Sequence, residues 1–379
     1  MKIIHTSDWH LGRTDKKGRS FQECHKFFLE KLSDLIRKEK VEAVICAGDV
    51  YDTAVSGPEA IRLYDDATTM LCKELGVTFI VIAGNHDGAT RLSVCNKLLE
   101  AANLYVTGNV ERDPQPILLD GGKVAIYCLP FFQRDHIATL FPDQKEEIRT
   151  TSRAAQVYCD HIREQMSPDR RNIIVSHSYI VNAELSDIDS DRSAHLGTAS
   201  AISASVFDGF DYVALGHIHK PQIIAPHIRY SGSPIKFSFG SEEKQVKGVV
   251  LIDTDTMEQE FVPLELLRDW ASITGTYEEV RHREDLREHY LDITVTDRHM
   301  GLELQGEMQQ YYPYLLGLHG NSVILGEGRS GLTLDRFTKL EDTDILGEFM
   351  RDILGQEPKQ EELDLFRWAL EECEKETVE

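Results

Sequence analysis

No CxxC pair occurs in the chain, and its seven cysteines never come closer than Cys24 and Cys46. That spacing excludes a zinc finger. Cys46 in "VICAG" and Cys128 in "IYCLP" sit inside apolar runs, where a thiol behaves as a small core residue. An odd, scattered set of this kind implies a reducing compartment, so a cytoplasmic protein is expected. No run reaches the ~20 apolar residues of a membrane helix, and the apolar start is too short for a signal peptide. Internal repeats, low-complexity segments, a basic tail and an RNA-binding signature are also missing. Positive charge is scarce: 41 Lys and Arg face 64 Asp and Glu, a net charge of -23. A general polyanion binder is therefore excluded, and any groove for phosphates must be a local basic stripe. The acid is uneven, since residues 340–379 hold fourteen acidic residues against four basic ones.

What is there is enough for more than one core. At 379 residues, with 41% hydrophobic and 28% charged residues, the chain reads as two or three soluble domains. Its first part alternates short apolar strands with helical segments. "KIIHTS" precedes a helix from about Phe21 to Lys38, with Phe21, Cys24, Phe28, Leu32 and Leu35 on one face. Ser20 and Glu23 supply a capping box for it. "EAVICAG", a helix after Pro58, "VTFIVIAG" and a helix from about Arg91 follow, then strands near "VAIYCLP", "RNIIVSH", "DYVALGH" and "KGVVLID". This alternation predicts a largely parallel sheet covered on both faces, with ligands beyond the carboxyl ends of the strands. Near Trp270 the pattern changes. "HYLDITVTD", a helix from about Met300 to Tyr312 ended by Pro313, and "NSVILGEG" predict a small α/β domain. Two amphipathic helices close the chain. Ile345, Leu346, Phe349, Met350, Ile353 and Leu354 stripe the first; Leu363, Phe366 and Leu370 stripe the second.

Five of the strands end in the same way. The first runs into Asp8 and His10, the second into Asp49 and Asp52, and the third into Asn85, His86 and Asp87. "IIVSH" ends in His177, and "YVALGHIH" in His217 and His219. Any one of these histidines alone is more readily a satisfied strand-end residue than a ligand. Five strand ends with one chemistry are not coincidence, and a buried cluster of carboxylates and imidazoles is costly without cations. Imidazole, carboxylate and amide without thiolate point to manganese, iron or zinc. Two such ions can activate a water and clamp the oxygens of an in-line phosphoryl displacement. His86, beside Asn85, is placed to be the acid for the leaving alkoxide.

"DWH", "GDVYD", "GNHD", a lone histidine and "GHIH", in this order, resemble the calcineurin-like metallophosphoesterases. "HTSDWHLG", "ALGHIHKPQ" and "RYSGSP" are similar to the branch that supplies the nuclease subunit of bacterial ATPase–nuclease complexes. The resemblance spans most of the first 270 residues. It implies an α/β fold, a layered α/β/β/α sandwich with a small α/β capping domain and C-terminal helices. The domains would be residues 1–270 (nuclease), 271–338 (cap) and 339–379 (partner-binding helices). It further implies that Asp8, His10, Asp49 and His219 bind one ion, most commonly manganese. Asp49 would bridge to a second held by Asn85, His177 and His217, with His86 as catalytic acid. Asp52 stands where archaeal and eukaryotic members carry a histidine, and is left out of the catalytic set. Ser176 replaces a frequent glycine before His177.

The activity so implied is 3′-to-5′ exonuclease on duplex DNA and endonuclease on single strands and hairpins, in repair, recombination and replication. Arg13, Lys16, Lys17, Arg19, Arg91, Lys220 and Lys236 lie near the motifs, as solvated surface charges or as contacts to the DNA backbone. The Ile345, Phe349, Ile353, Leu363, Phe366 and Leu370 face would dock an SbcC-type ATPase, and a homodimer within a heterotetramer is implied. Two other functions remain open: a phosphomonoesterase or nucleotide hydrolase on the same scaffold, and a non-catalytic scaffold that holds DNA ends.

Overall fold

A computed structural model describes residues 1–15, 18–185, 201–298, 301–320, 359–360 and 362–368. The chain divides into two compact units, Met1–Ser272 with Glu288–Leu291, and Ile273–Arg287 with Asp292–Glu379.

In the first unit the strands form two sheets where the alternation alone predicts one. The first sheet has six strands: β1 (Lys2–Thr6), β2 (Ala43–Cys46), β3 (Thr78–Ile82), β4 (Leu104–Thr107), β11 (Gly248–Asp253) and β12 (Gln259–Pro263). Their order is β12-β11-β1-β2-β3-β4, parallel from β1 to β4 and antiparallel at β11 and β12. The second contains β5 (Ile117–Leu119), β6 (Val124–Leu129), β7 (Arg171–His177), β8 (Tyr212–Gly216), β9 (Gln222–Ala225) and β10 (Ile228–Tyr230). Its order is β5-β6-β7-β8-β10-β9, with β6, β7 and β8 parallel.

Strand alternation explains how the sheets stack. Ile3, Ile45, Ile80 and Ile82 of the first sheet share one core with Ile126, Ile173, Val175 and Tyr212 of the second. The opposite face of the second sheet (Tyr127, Ile174, Val213, Leu215) packs on Ile137, Phe141, Ala154, Tyr158 and Ile162 of helices Arg134–Leu140 and Thr151–Arg163. On the far side of the first sheet lies α1 (Gln22–Glu39), whose Phe28 meets Trp9, itself stacked on Phe79 of β3. The result is an α/β/β/α sandwich. Strands buried on both faces read as continuous apolar runs, so sequence periodicity cannot tell a helix neighbour from a second sheet.

Two helix expectations change. α1 starts one residue late, with Phe21 at its N-cap and no side-chain cap. Ser20 Oγ accepts from Gln22 N at 3.1 Å, and Glu23 instead pairs with Arg268 at 3.0 Å. The helix from Arg91 is two short turns, Ala89–Leu92 and Asn96–Leu99, broken where Cys95 takes φ +61°. The helix after Pro58 forms as α2 (Pro58–Thr68), with proline in its first turn, where a missing N–H costs nothing.

A three-stranded sheet, β13 (Trp270–Gly275), β14 (Tyr290–Val295) and β15 (Leu315–His319), follows in that order. The second unit carries a helix over Leu302–Tyr311, and Ile293, Val295, Met308 and Tyr312 are buried. Met300, "NSVILGEG", the helix striped by Ile345, Phe349 and Ile353, and Leu370 lie outside the described residues. Residues 362–368 are helical, with Leu363 and Phe366 half-buried and Leu365 and Trp368 exposed.

Candidate metal centre

The parallel strands β1, β2, β3, β7 and β8 deliver their carboxyl ends to one edge of the sandwich. The turns there are strained: Asp8 (φ +54°), His10 (+47°), Asp49 (+50°) and His217 (+101°) all occupy conformations that side chains rarely adopt. Such a conformation costs roughly 1–3 kcal/mol per residue and persists only when the surroundings over-determine it. Backbone bonds supply part of that: Asp8 N donates to Gly48 O and His10 N to Asp49 O, both at 3.0 Å. Asp87 supplies more. Its buried carboxylate accepts from Gly84 N (2.8 Å), Val50 N (3.2 Å) and Tyr51 N (2.9 Å), tying the turn after β3 to the turn after β2. Burial and the nearby Asp49 push Asp87 up to about 7. Gly84 must be glycine, since a Cβ there would lie 2.1 Å from Asp49 Oδ1.

The seven expected ligands are brought together. Asp8, His10 and His219 present donor atoms within 4.8 Å of one another, as do Asp8, Asp49 and His177. His10 Nε2 and His219 Nε2 face each other at 3.1 Å, and Asp49 Oδ2 lies 3.6 Å from His10 Nε2 and 3.5 Å from His177 Nε2. Asn85 Oδ1 sits 3.0 Å from His177 Nε2 and 2.9 Å from His217 Nδ1. Several rings are aimed from behind. His177 Nδ1 donates to Ala47 O at 2.8 Å, leaving Nε2 for the site. Asp8 accepts from His217 N at 3.0 Å, and Asp49 Oδ1 from His86 N at 2.8 Å.

The electrostatics match a cation site. Burial pushes His10 and His217 down to about 3, leaving neutral imidazoles with lone pairs to offer. Burial also raises Asp8. Asp49 stays well below the usual carboxylate range, because His177, His10 and His86 outweigh the desolvation that would raise it. His177 is correspondingly pushed up to about 9, its burial overcome by the Asp49 carboxylate. The buried Asp8 and Asp49 carboxylates thus lie among imidazoles, with His217 N and His86 N donating to them. Hard oxygen and borderline nitrogen donors without sulfur fit manganese, iron or zinc.

His86 stands apart. Its Nδ1 donates to the Asp52 carbonyl at 2.7 Å, so Nε2 is the nitrogen left to carry a proton into the site. Its ring lies edge-on to His10, centroids 4.9 Å apart. Asp52, His10 and His86 form a third group of close donors. The Asp52 carboxylate lies 3.3 Å from His10 Nδ1 and accepts from Arg13 at 3.1 Å. Asp52 therefore backs one imidazole with its side chain and another with its backbone.

The basic residues spread around this edge. Arg13 lies over the Phe237 ring at 4.9 Å, Arg19 pairs with Asp15, Arg91 donates to Ala54 O, and half-buried Lys220 pairs with Glu184. Lys236 is buried and bonded to Asp269 and Glu243 O, facing its own fold. Lys16 and Lys17 lie outside the described residues. Sequence reasoning missed two buried charges, Glu242 and Lys247, 2.8 Å apart behind His219. "SEEKQVK" reads as a surface run, and only its spacing to "GHIH" in three dimensions gives it away.

Residues 1–221 match the calcineurin-like phosphoesterase family. The chain is similar over 98% of its length to 98% of a Staphylococcus epidermidis protein named as the D component of nuclease SbcCD, with 31% identity. A protein of the same name from Staphylococcus saprophyticus is 31% identical over 94% of each chain. Among solved structures, an archaeal phosphodiesterase (13% identity, TM-score 0.32) and a Thermus thermophilus protein (14%, TM-score 0.40) each cover 70% of this chain, and 100% and 99% of their own.

Proposed function

The chain belongs to the calcineurin-like phosphoesterase family, and within it to the D components of the SbcCD nucleases; from this premise we propose that it is a metal-dependent phosphodiester hydrolase acting on DNA. It is the nuclease subunit of a complex with an SbcC-type ATPase, cutting duplex ends 3′-to-5′ and opening single strands and hairpins. Its place is the cytoplasm, on the nucleoid, in repair, recombination and replication.

The observation that supports the reading is His86, whose Nδ1 is held by the Asp52 carbonyl at 2.7 Å beside the His10 ring, outside the two groups that contain Asp8. Asp8, His10, Asp49 and His219 would hold one ion, and Asp49, Asn85, His177 and His217 the other. Bound there, the ion pair supplies Lewis acidity and a water of lowered pKa. Everything else belongs to the chain. The Asp87 clamp keeps Asp49 and Asn85 in register, and the strained turns aim their donors without reorganisation. His86, protonated on Nε2, gives its proton to the sugar oxygen that leaves phosphorus, so no bare alkoxide departs. The Asp52 carbonyl holds the ring in the tautomer this requires.

Arg13, Arg19, Arg91 and Lys220, with Lys16 and Lys17, meet backbone phosphates; contacts of this kind are salt-sensitive and indifferent to sequence. Exposed Val55, Ile61, Val94 and Leu98 lie on two segments joined by the Arg91–Ala54 bond, and support a homodimer. Exposed Leu365 and Trp368 beside Leu363 and Phe366 support docking of residues 339–379 on the ATPase. Residues 1–270 then form the nuclease domain and 271–338 the cap.

The test is cleavage of end-labelled linear duplex in manganese, beside His86→Ala and p-nitrophenyl phosphate. Nucleotide release abolished in His86→Ala, with DNA binding kept, is the expected result. Hydrolysis of the small ester with intact DNA would replace the nuclease by a phosphomonoesterase. Loss of DNA binding in His86→Ala, without any cleavage by the parent, would favour an end-holding scaffold.

A further inference from the structure

His219 offers its Nε2 to the site only if its proton sits on Nδ1. With the proton on Nε2 it would point a donor at His10 Nε2, 3.1 Å away, and leave no lone pair for a cation. The atom that faces His219 Nδ1 is Oε1 of Glu242, at 3.6 Å. Glu242 is fully buried and has no freedom to turn. Its Oε2 accepts from Phe237 N (3.0 Å) and Ser238 Oγ (2.8 Å), and its Oε1 from Lys247 Nζ (2.8 Å). Lys247, also buried, donates in addition to His219 O, Ser233 Oγ and Gln245 Oε1, each at 2.9 Å. The pair therefore meets His219 at both ends: Lys247 bonds its carbonyl, and the Glu242 carboxylate stands 3.6 Å from its ring nitrogen, an ion-pair distance longer than a hydrogen bond. Phe237, fixed by the same carboxylate, packs against the rings of His219 and His10, with centroids 5.6 Å from each.

A buried ion pair is weak evidence of stabilisation, because desolvation offsets its Coulomb gain. Its location behind a ligand, with Oε1 facing the ring nitrogen at 3.6 Å, is where the carboxylate of a carboxylate–histidine–metal relay stands, and a small ring shift would close the bond. We propose that Glu242, clamped by Lys247, is a positioning residue that fixes the Nδ1–H tautomer of His219 and so holds its Nε2 open to a divalent cation. The proposal rests on the metal-site reading above.

The chemistry of substitution is directional. In Glu242→Gln the amide oxygen stays with Phe237 N and Ser238, and the NH2 turns toward His219 Nδ1. A donor there makes Nδ1 an acceptor and moves the His219 proton to Nε2, into the site. Lys247→Met in the same chain removes the ammonium that would otherwise face that NH2 or be stranded without charge.

Two measurements on the full chain test this. The first is the tautomer of His219 in metal-free, 15N-histidine-labelled protein, its signal identified by its loss in His219→Gln. The second is the affinity for Mn2+ by calorimetry, parent against Glu242→Gln/Lys247→Met, with circular dichroism confirming the fold. An Nδ1–H tautomer in the parent and about 10–100-fold weaker Mn2+ binding in the folded double variant are expected. An Nε2–H tautomer in the parent overturns the proposal and needs no variant to fold. Equal Mn2+ affinity in the folded double variant overturns it as well. A parent that shows Nδ1–H and binds no Mn2+ upholds the control of the ring by Glu242 and sinks the metal-site reading instead.

Discussion

At the scale of single residues, the centre separates groups that hold from the one that gives. His10, His177, His217 and His219 converge on one another and on Asp8, Asp49 and Asn85, whereas the hydrogen bonds of His86 run from Nδ1 to the Asp52 carbonyl and from its backbone to Asp49, with its ring edge-on to His10. Removing it takes away a proton donor and no ligand. His86→Ala should lower kcat by about 10²–10⁴ while Mn2+ affinity by calorimetry stays within about twofold of the parent. A drop in Mn2+ affinity matching the loss of rate would instead make His86 a ligand. Gly84 answers to the opposite logic. An added Cβ meets Asp49 Oδ1 at 2.1 Å and Asp49 N at 2.3 Å, atoms that have nowhere to go. Gly84→Ala should cost about 1–3 kcal/mol of stability through overpacking. It should also weaken Mn2+ binding by about tenfold or more, because the displaced Asp49 carboxylate lies 3.6 Å from His10 Nε2 and 3.5 Å from His177 Nε2. Wild-type affinity in that variant would show that the turn yields where it is described as rigid.

At the scale of elements, one side chain couples the two sheets. His5 on β1 reaches across to β8, with Nδ1 accepting from Tyr212 Oη at 2.8 Å and Nε2 donating to Leu215 O at 3.1 Å. Burial pushes it down from 6.5 to about 3. Above pH 6.5 neither the folded nor the unfolded chain protonates His5, and it has no effect on the pH dependence. As pH falls below 6.5 the unfolded state takes up a proton that the fold refuses, so stability falls until about pH 3. The slope this adds is at most about 1.4 kcal/mol per pH unit. Urea midpoints from pH 7 to 4 should therefore decline less steeply in His5→Gln than in the parent; parallel declines would refute the role. This inter-sheet bond also shows what sequence could and could not reveal. "DWH", "GDVYD", "GNHD" and "GHIH" were legible because each ligand follows its strand within a few residues, so local order carries the chemistry. The pairing of Ile3 and Ile45 with Ile126 and Ile173 across two sheets was not, since apolar strands look alike whatever covers them. Nor was the Glu242–Lys247 pair, whose partner His219 lies more than twenty residues away in sequence.

At the scale of the whole molecule, a chain of net charge -23 gathers carboxylates and imidazoles at one edge and is proposed to act on a polyanion. Both facts have thermodynamic consequences. The strained turns at Asp8, His10, Asp49 and His217 and the buried carboxylates weigh against folding, and a bound cation acts on the folded state alone. Metal at 100 times its Kd should add about 2.7 kcal/mol per site. For a domain of this size each kcal/mol moves Tm by about 2–4 °C. Loading with Mn2+ should thus raise the Tm of the metal-free protein by about 5–10 °C for one site, and further for two. His86→Ala should keep that rise in full, because it removes no ligand. Asp49→Asn should lose most of it, since a neutral amide replaces a carboxylate that lies beside both His10 and His177. Calorimetric scans of the three proteins with and without Mn2+ decide the matter, and an equal rise in Asp49→Asn would place the cation elsewhere. Ionic strength should leave this rise nearly untouched, because the charged ligands Asp8 and Asp49 are buried and screening acts on exposed charges. If Arg91 and Lys220 meet backbone phosphates as proposed, DNA binding should instead weaken steeply with salt. A thermal shift insensitive to salt beside a DNA affinity that collapses with it would separate the buried centre from the charged rim that feeds it.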